Sequence, residues 1–157
     1  MKQIIHTDNA PAAIGPYVQA QKIGDFIFTS GQLGIDVAKG GLAEGVEAQA
    51  HAAMKNLGQI LAKAGAGYAN IIKTTIFVKD LADFATVNQV YASYFQGDYP
   101  ARSCVQVAAL PMGGLVETVH SNAKVNNVEY TGDGIEIDTI LDDILYGRLR
   151  DYVKKEL

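Results

Sequence analysis

The strongest hydrophobic rhythm in the chain runs through residues 44–64. Val46, Ala50, Ala53, Leu57, Ile60 and Ala64 recur at steps of three and four, which predicts a helix over Glu44–Ala64 with one apolar face. Gly65 follows as the expected C-terminal cap. The face is built mostly of small side chains, so this helix can lie close on a sheet. A second helix is expected after Asp80, a good N-cap residue, with Phe84, Val87, Tyr91 and Tyr94 as its buried stripe. Gly97-Asp98-Tyr99-Pro100 ends it. Tyr17–Gln21 and Phe26–Ser30 read as a hairpin around Lys22-Ile23-Gly24-Asp25. Ile71–Val78, Ser103–Ala108 and Leu115–Val119 read as further strands. Gly31 to Gly41 holds four glycines and little periodicity, which predicts a loop.

The order β-β-α-β-α-β-β predicts a two-layer α+β domain, with two helices on a mixed sheet of about six strands. Ile71–Val78 is apolar on both faces. The helices cover one face, and a homo-oligomer packing sheet against sheet would cover the other.

Composition sharpens this picture. The 157 residues are the length of one domain. The net charge is −4, and residues 126–157 hold eight acidic and four basic groups, which leaves nine of each in residues 1–125. A neutral body with an acidic tail does not suit nucleic acid. One cysteine, Cys104, fits a reducing compartment. The first residues show no secretion signal, and no run reaches the roughly 20 apolar residues of a membrane span. The expectation is a cytoplasmic protein without a membrane partner.

Few charged side chains interrupt the apolar strands of the body. Arg102 opens one strand, where it is either a two-pronged clamp for a substrate carboxylate or half of a structural ion pair. Glu117 lies in Leu115-Val116-Glu117-Thr118-Val119. It is either a general acid or base with a raised pKa, or a solvent-facing residue or arginine partner. Cys104 has no nearby histidine in sequence and reads better as a small buried strand residue than as a nucleophile. His6, His51 and His120 lack metal-ligand spacing, and no nucleotide-binding motif is present, so no cofactor is expected.

Five stretches, in order, resemble the Rid (YjgF/YER057c/UK114) family. They are Asn9-Ala10-Pro11-Ala12-Ala13-Ile14-Gly15-Pro16-Tyr17, Thr29-Ser30-Gly31-Gln32, Lys73-Thr74-Thr75-Ile76-Phe77-Val78-Lys79-Asp80, Asp83-Phe84 with Val87-Asn88 and Tyr91, and Pro100-Ala101-Arg102-Ser103-Cys104-Val105. The resemblance runs from about Lys2 to Glu117. It implies a chorismate-mutase-like subunit, a homotrimer whose sheets close into a barrel, and sites in the clefts between subunits. It also implies hydrolysis of 2-imino and 2-enamino acids to 2-oxo acids and ammonia without a cofactor. By resemblance, Arg102 holds the substrate carboxylate and Glu117 positions water and moves protons. Tyr17, Ser30, Gly31, Asn88 and Cys104 would line the pocket, Cys104 mainly through its backbone. The competing expectation is a weak or inactive trimer on the same scaffold, serving in binding or assembly.

The chain leaves the family pattern after Glu117. Thr118, His120, Asn122 and Lys124 make one face of the following strand polar. A Rid-like domain is therefore expected over 1–125 and an extension over 126–157. Val128-Glu129-Tyr130 and Ile135-Glu136-Ile137 flank Thr131-Gly132-Asp133-Gly134 as a possible hairpin. From Asp138 to the end, Ile140, Leu141, Ile144, Leu145, Leu149, Tyr152 and Val153 predict an amphipathic helix. It would pack on its own subunit, or mediate higher-order assembly or partner binding.

Overall fold

The computed structural model describes residues 1–124, the last five as backbone only. The hairpin and helix expected beyond residue 126 lie outside the described residues. The chain opens with β1 (Lys2–Ile5), β2 (Ala20–Ile23) and β3 (Phe26–Thr29), an antiparallel meander. Three two-residue strands follow: β4 (Gln32–Leu33), β5 (Ile35–Asp36) and β6 (Gly41–Leu42). Then come α1 (Gly45–Lys63), β7 (Ile71–Val78), α2 (Phe84–Ala92), β8 (Ala101–Gln106) and β9 (Val116–Lys124).

The main sheet runs β1-β2-β3-β9-β7-β8, with β4 pairing β9 as a seventh strand; β5 and β6 form a separate two-stranded sheet. β7 and β8 are parallel and the other described pairs are antiparallel, so the sheet is mixed. The α+β expectation holds, with two helices and one more sheet strand than the six expected. Several bounds differ. β1 was not expected, because three of its four residues are exposed. The strand expected at Tyr17–Gln21 begins at Ala20 instead, and the loop expected at 31–41 contains three short strands. β8 begins two residues before its expected start, and β9 continues five residues beyond Val119.

α1 folds as its periodicity predicts. Ala50, Ala53, Met54, Leu57, Ile60 and Leu61 are buried together with Ile76, Val78 and Val116 of the sheet. Its end is a Schellman turn: the Ala66 N–H donates to the Leu61 carbonyl, and the Gly65 N–H to the Ala62 carbonyl. Gly65 takes φ +81°, a conformation that costs other residues free energy. Asp80 caps a single 3-10 turn ahead of α2, its carboxylate accepting from the Ala82 N–H. α2 buries Val87, Val90 and Tyr91, whereas Phe84 of the expected buried stripe is 40% exposed. The polar residues after Glu117 do not break the pairing, since β9 bonds to β3, β4 and β7.

Candidate functional site

β9 sets the position of Glu117. Its neighbours on one side, β3 and β4, follow one another along β9 with a break between them. Phe28 pairs with Ser121 and Gln32 with Thr118, so residues 29–31 face only residues 119 and 120. Such an extra residue interrupts a ladder and re-aims side chains. The interruption falls at Ser30-Gly31, and Glu117 folds its carboxyl over it. A Cβ built on Gly31 would lie 2.0 Å from Glu117 Oε1. Gly31 is therefore the opening that admits the carboxyl group.

A cavity of about 390 Å³ surrounds that group. Tyr17, Ser30, Gly31 and Glu117 line it together with Pro11, Ile14, Leu33, Pro111 and Met112. The Ser30 hydroxyl donates to the Val18 carbonyl at 2.6 Å. The Tyr17 hydroxyl accepts from the Ile14 N–H at 3.3 Å. Two glutamines missed as functional candidates hold the walls. The buried Gln19 side chain donates to the carbonyls of Thr7, Ala10 and Pro11 and accepts from the Thr7 N–H. It thereby pins the loop that carries Pro11 and Ile14. Gln49 donates to the Ala43 carbonyl and accepts from the Leu115 N–H, fixing the entry to β9. Neither carries a distinguishing signal in the sequence, since Gln21 and Lys22 stand beside the first and Glu47 and His51 beside the second. Burial pushes the pKa of Glu117 above the ordinary carboxylate value, and no hydrogen-bond partner of its carboxyl is present among the described residues.

Arg102 lies elsewhere. Its register partner on β7 is Thr74, whereas Glu117 pairs with Phe77. Residues three apart on a strand point to opposite faces. Arg102 thus stands on the face that carries the helices, and Glu117 on the other. Arg102 lines a second pocket of about 320 Å³ with Asn88, Tyr91, Ala92, Tyr99 and Pro100. Its guanidinium carbon lies 5.0 Å from the Tyr91 ring centre and 5.6 Å from that of Phe84. The ion pairs His6–Asp8 and Lys39–Asp36 do not involve it. Cys104 is half-buried two residues along β8; desolvation raises its thiol pKa, and the nearby Arg102 charge only partly offsets this. It is not an activated thiolate.

The seven residues singled out from sequence thus fall into two groups: Tyr17, Ser30, Gly31 and Glu117 line one cavity, and Asn88 and Arg102 line another, with Cys104 two residues along β8 from Arg102. A single subunit does not bring them together. No group of three or more His, Cys, Asp or Glu side chains converges among the described residues. No helix among them is long and apolar enough to cross a membrane.

The family described as endoribonuclease L-PSP matches residues 7–123. The 2-iminobutanoate/2-iminopropanoate deaminase of Mus musculus is 50% identical over 118 residues, spanning 74% of this chain and 87% of that protein. The protein of the same name from Salmonella typhimurium is 49% identical over 120 residues, spanning 74% of this chain and 94% of that protein. The crystal structure of E. coli TdcF with bound serine superposes with a TM-score of 0.75 at 43% identity, covering 78% of this chain and 98% of that one.

Proposed function

This chain belongs to the endoribonuclease L-PSP (Rid) family, and from that membership we propose that it hydrolyses reactive 2-imino and 2-enamino acids to 2-oxo acids and ammonia. The observation that carries the reading is a pair of complementary half-sites. One presents an arginine with no carboxylate partner among the described residues. The other presents a carboxyl group with a raised pKa in a largely apolar cavity. Because they stand on opposite faces of the sheet, the working site joins Arg102 of one subunit to Glu117 of the next, in a homotrimer. Exposed Phe28 and Val105, each at 44%, support burial of the sheet's second face in such an assembly.

Arg102 grips the substrate carboxylate with two parallel N–H donors and fixes C2 of the imine. Glu117 takes a proton from a water molecule as the water oxygen bonds to C2. Glu117 passes that proton to the imine nitrogen, giving a neutral carbinolamine. Glu117 then takes the carbinolamine hydroxyl proton and delivers it to the amino nitrogen as the C–N bond breaks, so that ammonia leaves and the carbonyl of the 2-oxo acid forms. A raised pKa brings the carboxyl closer to the operating pH, where giving and taking are both feasible. Asn88, Tyr17 and Ser30 supply polar walls. The reaction is cytosolic, in keeping with a lone cysteine. The net charge of −4 disfavours nucleic acid as substrate.

Mixed trimers test the shared site. Arg102→Ala and Glu117→Ala are each expected to lack activity, with 2-iminobutanoate supplied in situ by an amino-acid oxidase. Equal random mixing pairs an intact Arg102 with an intact Glu117 at about one site in four, so about a quarter of wild-type activity returns. Mixed trimers that stay inactive sink the shared site. An inactive wild-type chain sinks the deaminase reading.

A further inference from the structure

We propose that Phe84 and Tyr91 are positioning residues, an aromatic clamp that sets the plane of the Arg102 guanidinium. The inference rests on the reading of Arg102 as the carboxylate grip. Phe84 and Tyr91 stand seven residues apart on α2 and so share one helix face, with Asn88 between them. Two turns of helix advance about 10.5 Å, which leaves room for one flat cation between two rings. The guanidinium occupies that gap, with its carbon 5.0 Å from one ring centre and 5.6 Å from the other.

The electrostatics fit a clamp. Both ring faces carry the negative part of the aromatic quadrupole and attract the cation without using its N–H groups. A carboxylate partner would occupy those groups in advance, and none is present among the described residues. The guanidinium is thereby held by its faces, and its donor edge stays open for an incoming carboxylate. Tyr91 is itself fixed. Its hydroxyl pairs at 2.9 Å with that of Thr74, a residue with no exposure. Thr74 is also the register partner of Arg102, so one strand position sets both the backbone beside the arginine and the ring beneath it. Burial keeps the phenol neutral, its pKa pushed above the ordinary value, so it acts as a ring and not as a counter-ion.

Four variants in the full chain test this. Phe84→Leu removes an exposed ring and spares the core. Tyr91→Leu removes the buried ring, Tyr91→Phe keeps the ring and loses the hydroxyl, and Arg102→Lys removes the planar cation. Loss of one ring is expected to raise KM for 2-iminobutanoate about five- to thirty-fold, with kcat much less affected. In the Arg102→Lys background the same losses should have little further effect, because the clamp acts through the guanidinium. Tyr91→Phe is expected to rescue most of the Tyr91→Leu defect. The readout independent of activity is the NMR resonance of the Arg102 Nε–H, assigned by its loss in Arg102→Lys. It is expected upfield from ring current and should move downfield in Phe84→Leu. A resonance unmoved by Phe84→Leu overturns the clamp whatever the activity. A shifted resonance with unchanged KM overturns the positioning role. A shifted resonance in a wild-type chain that hydrolyses no imine leaves the stacking intact but overturns the function on which its role rests.

Discussion

Replacing Gly31 by alanine would test the site at its tightest point. The new Cβ would sit 2.0 Å from Glu117 Oε1, 2.6 Å from its Cδ and 3.0 Å from its Cγ. Carbon–oxygen contacts are comfortable near 3.5 Å, so the carboxyl must retreat by about 1.5 Å. The backbone does not oppose the change, since Gly31 lies outside the left-handed region. The flexible Glu117 side chain moves and the sheet stays. A misplacement of about 1 Å costs on the order of a hundredfold in rate, and about 3 kcal/mol of transition-state stabilisation corresponds to that loss. Folding stability should change little, because the smaller unfolded-state entropy of alanine, worth about 0.4–1 kcal/mol, offsets the local rearrangement. The measurements are kcat/KM for 2-iminobutanoate and thermal unfolding of the same preparation. A kcat/KM within about threefold of wild type would refute the reasoning, since it would mean that the exact seat of the carboxyl is immaterial. A collapse in melting temperature with proportionate loss of activity would refute it differently, by making Gly31 a packing residue.

Four further outcomes are expected. The acid limb of the kcat/KM profile should inflect above the ordinary glutamate value of 4.5, because Glu117 is deprotonated late and works first as a base; an inflection at or below that value would count against it. The same shift has a stability sign: the fold favours the neutral acid, so stability is highest below the unfolded pKa and falls as pH rises through the folded one, and Glu117→Gln should remove this slope in denaturant titrations. Thr118 buries a hydroxyl oxygen that has no hydrogen-bond partner among the described residues, so Thr118→Val should stabilise the chain by about 1 kcal/mol, and a loss of stability would reveal a partner. A chain ending at Val125 should keep imine hydrolysis. If residues 126–157 mediate higher-order assembly, its mass in solution should fall to that of a trimer, and an unchanged mass argues against that role.

The sequence made α1 legible because its burial is one-sided and its end carries a glycine suited to a Schellman turn. β4, β5 and β6 were illegible because two residues contain no period. β2 begins later than its pattern predicts because Tyr17 is held in a turn, its N–H donating to the Gly15 carbonyl, and the Gln19 side chain is turned to the loop at residues 7–11. Arg102 and Glu117 stood out as rare charges in apolar strands. What the sequence withheld was their separation, since opposite faces follow only from register. Phe84 and Tyr91 read as ordinary core residues, because a stacked cation leaves no mark on a hydrophobic stripe.

The sheet order distributes rigidity unequally between the two half-sites. Glu117 rises from β9, which has hydrogen-bonded neighbours on both sides along this stretch. Arg102 rises from β8, the end of the sheet, which pairs only with β7 among the described residues. Amide hydrogens around Glu117 should therefore exchange only in rare, large openings, while the outward amides of β8 exchange through fraying of an edge. The proposed proton-handling group is anchored to the slowest part of the fold, and the proposed substrate grip to a margin that can yield.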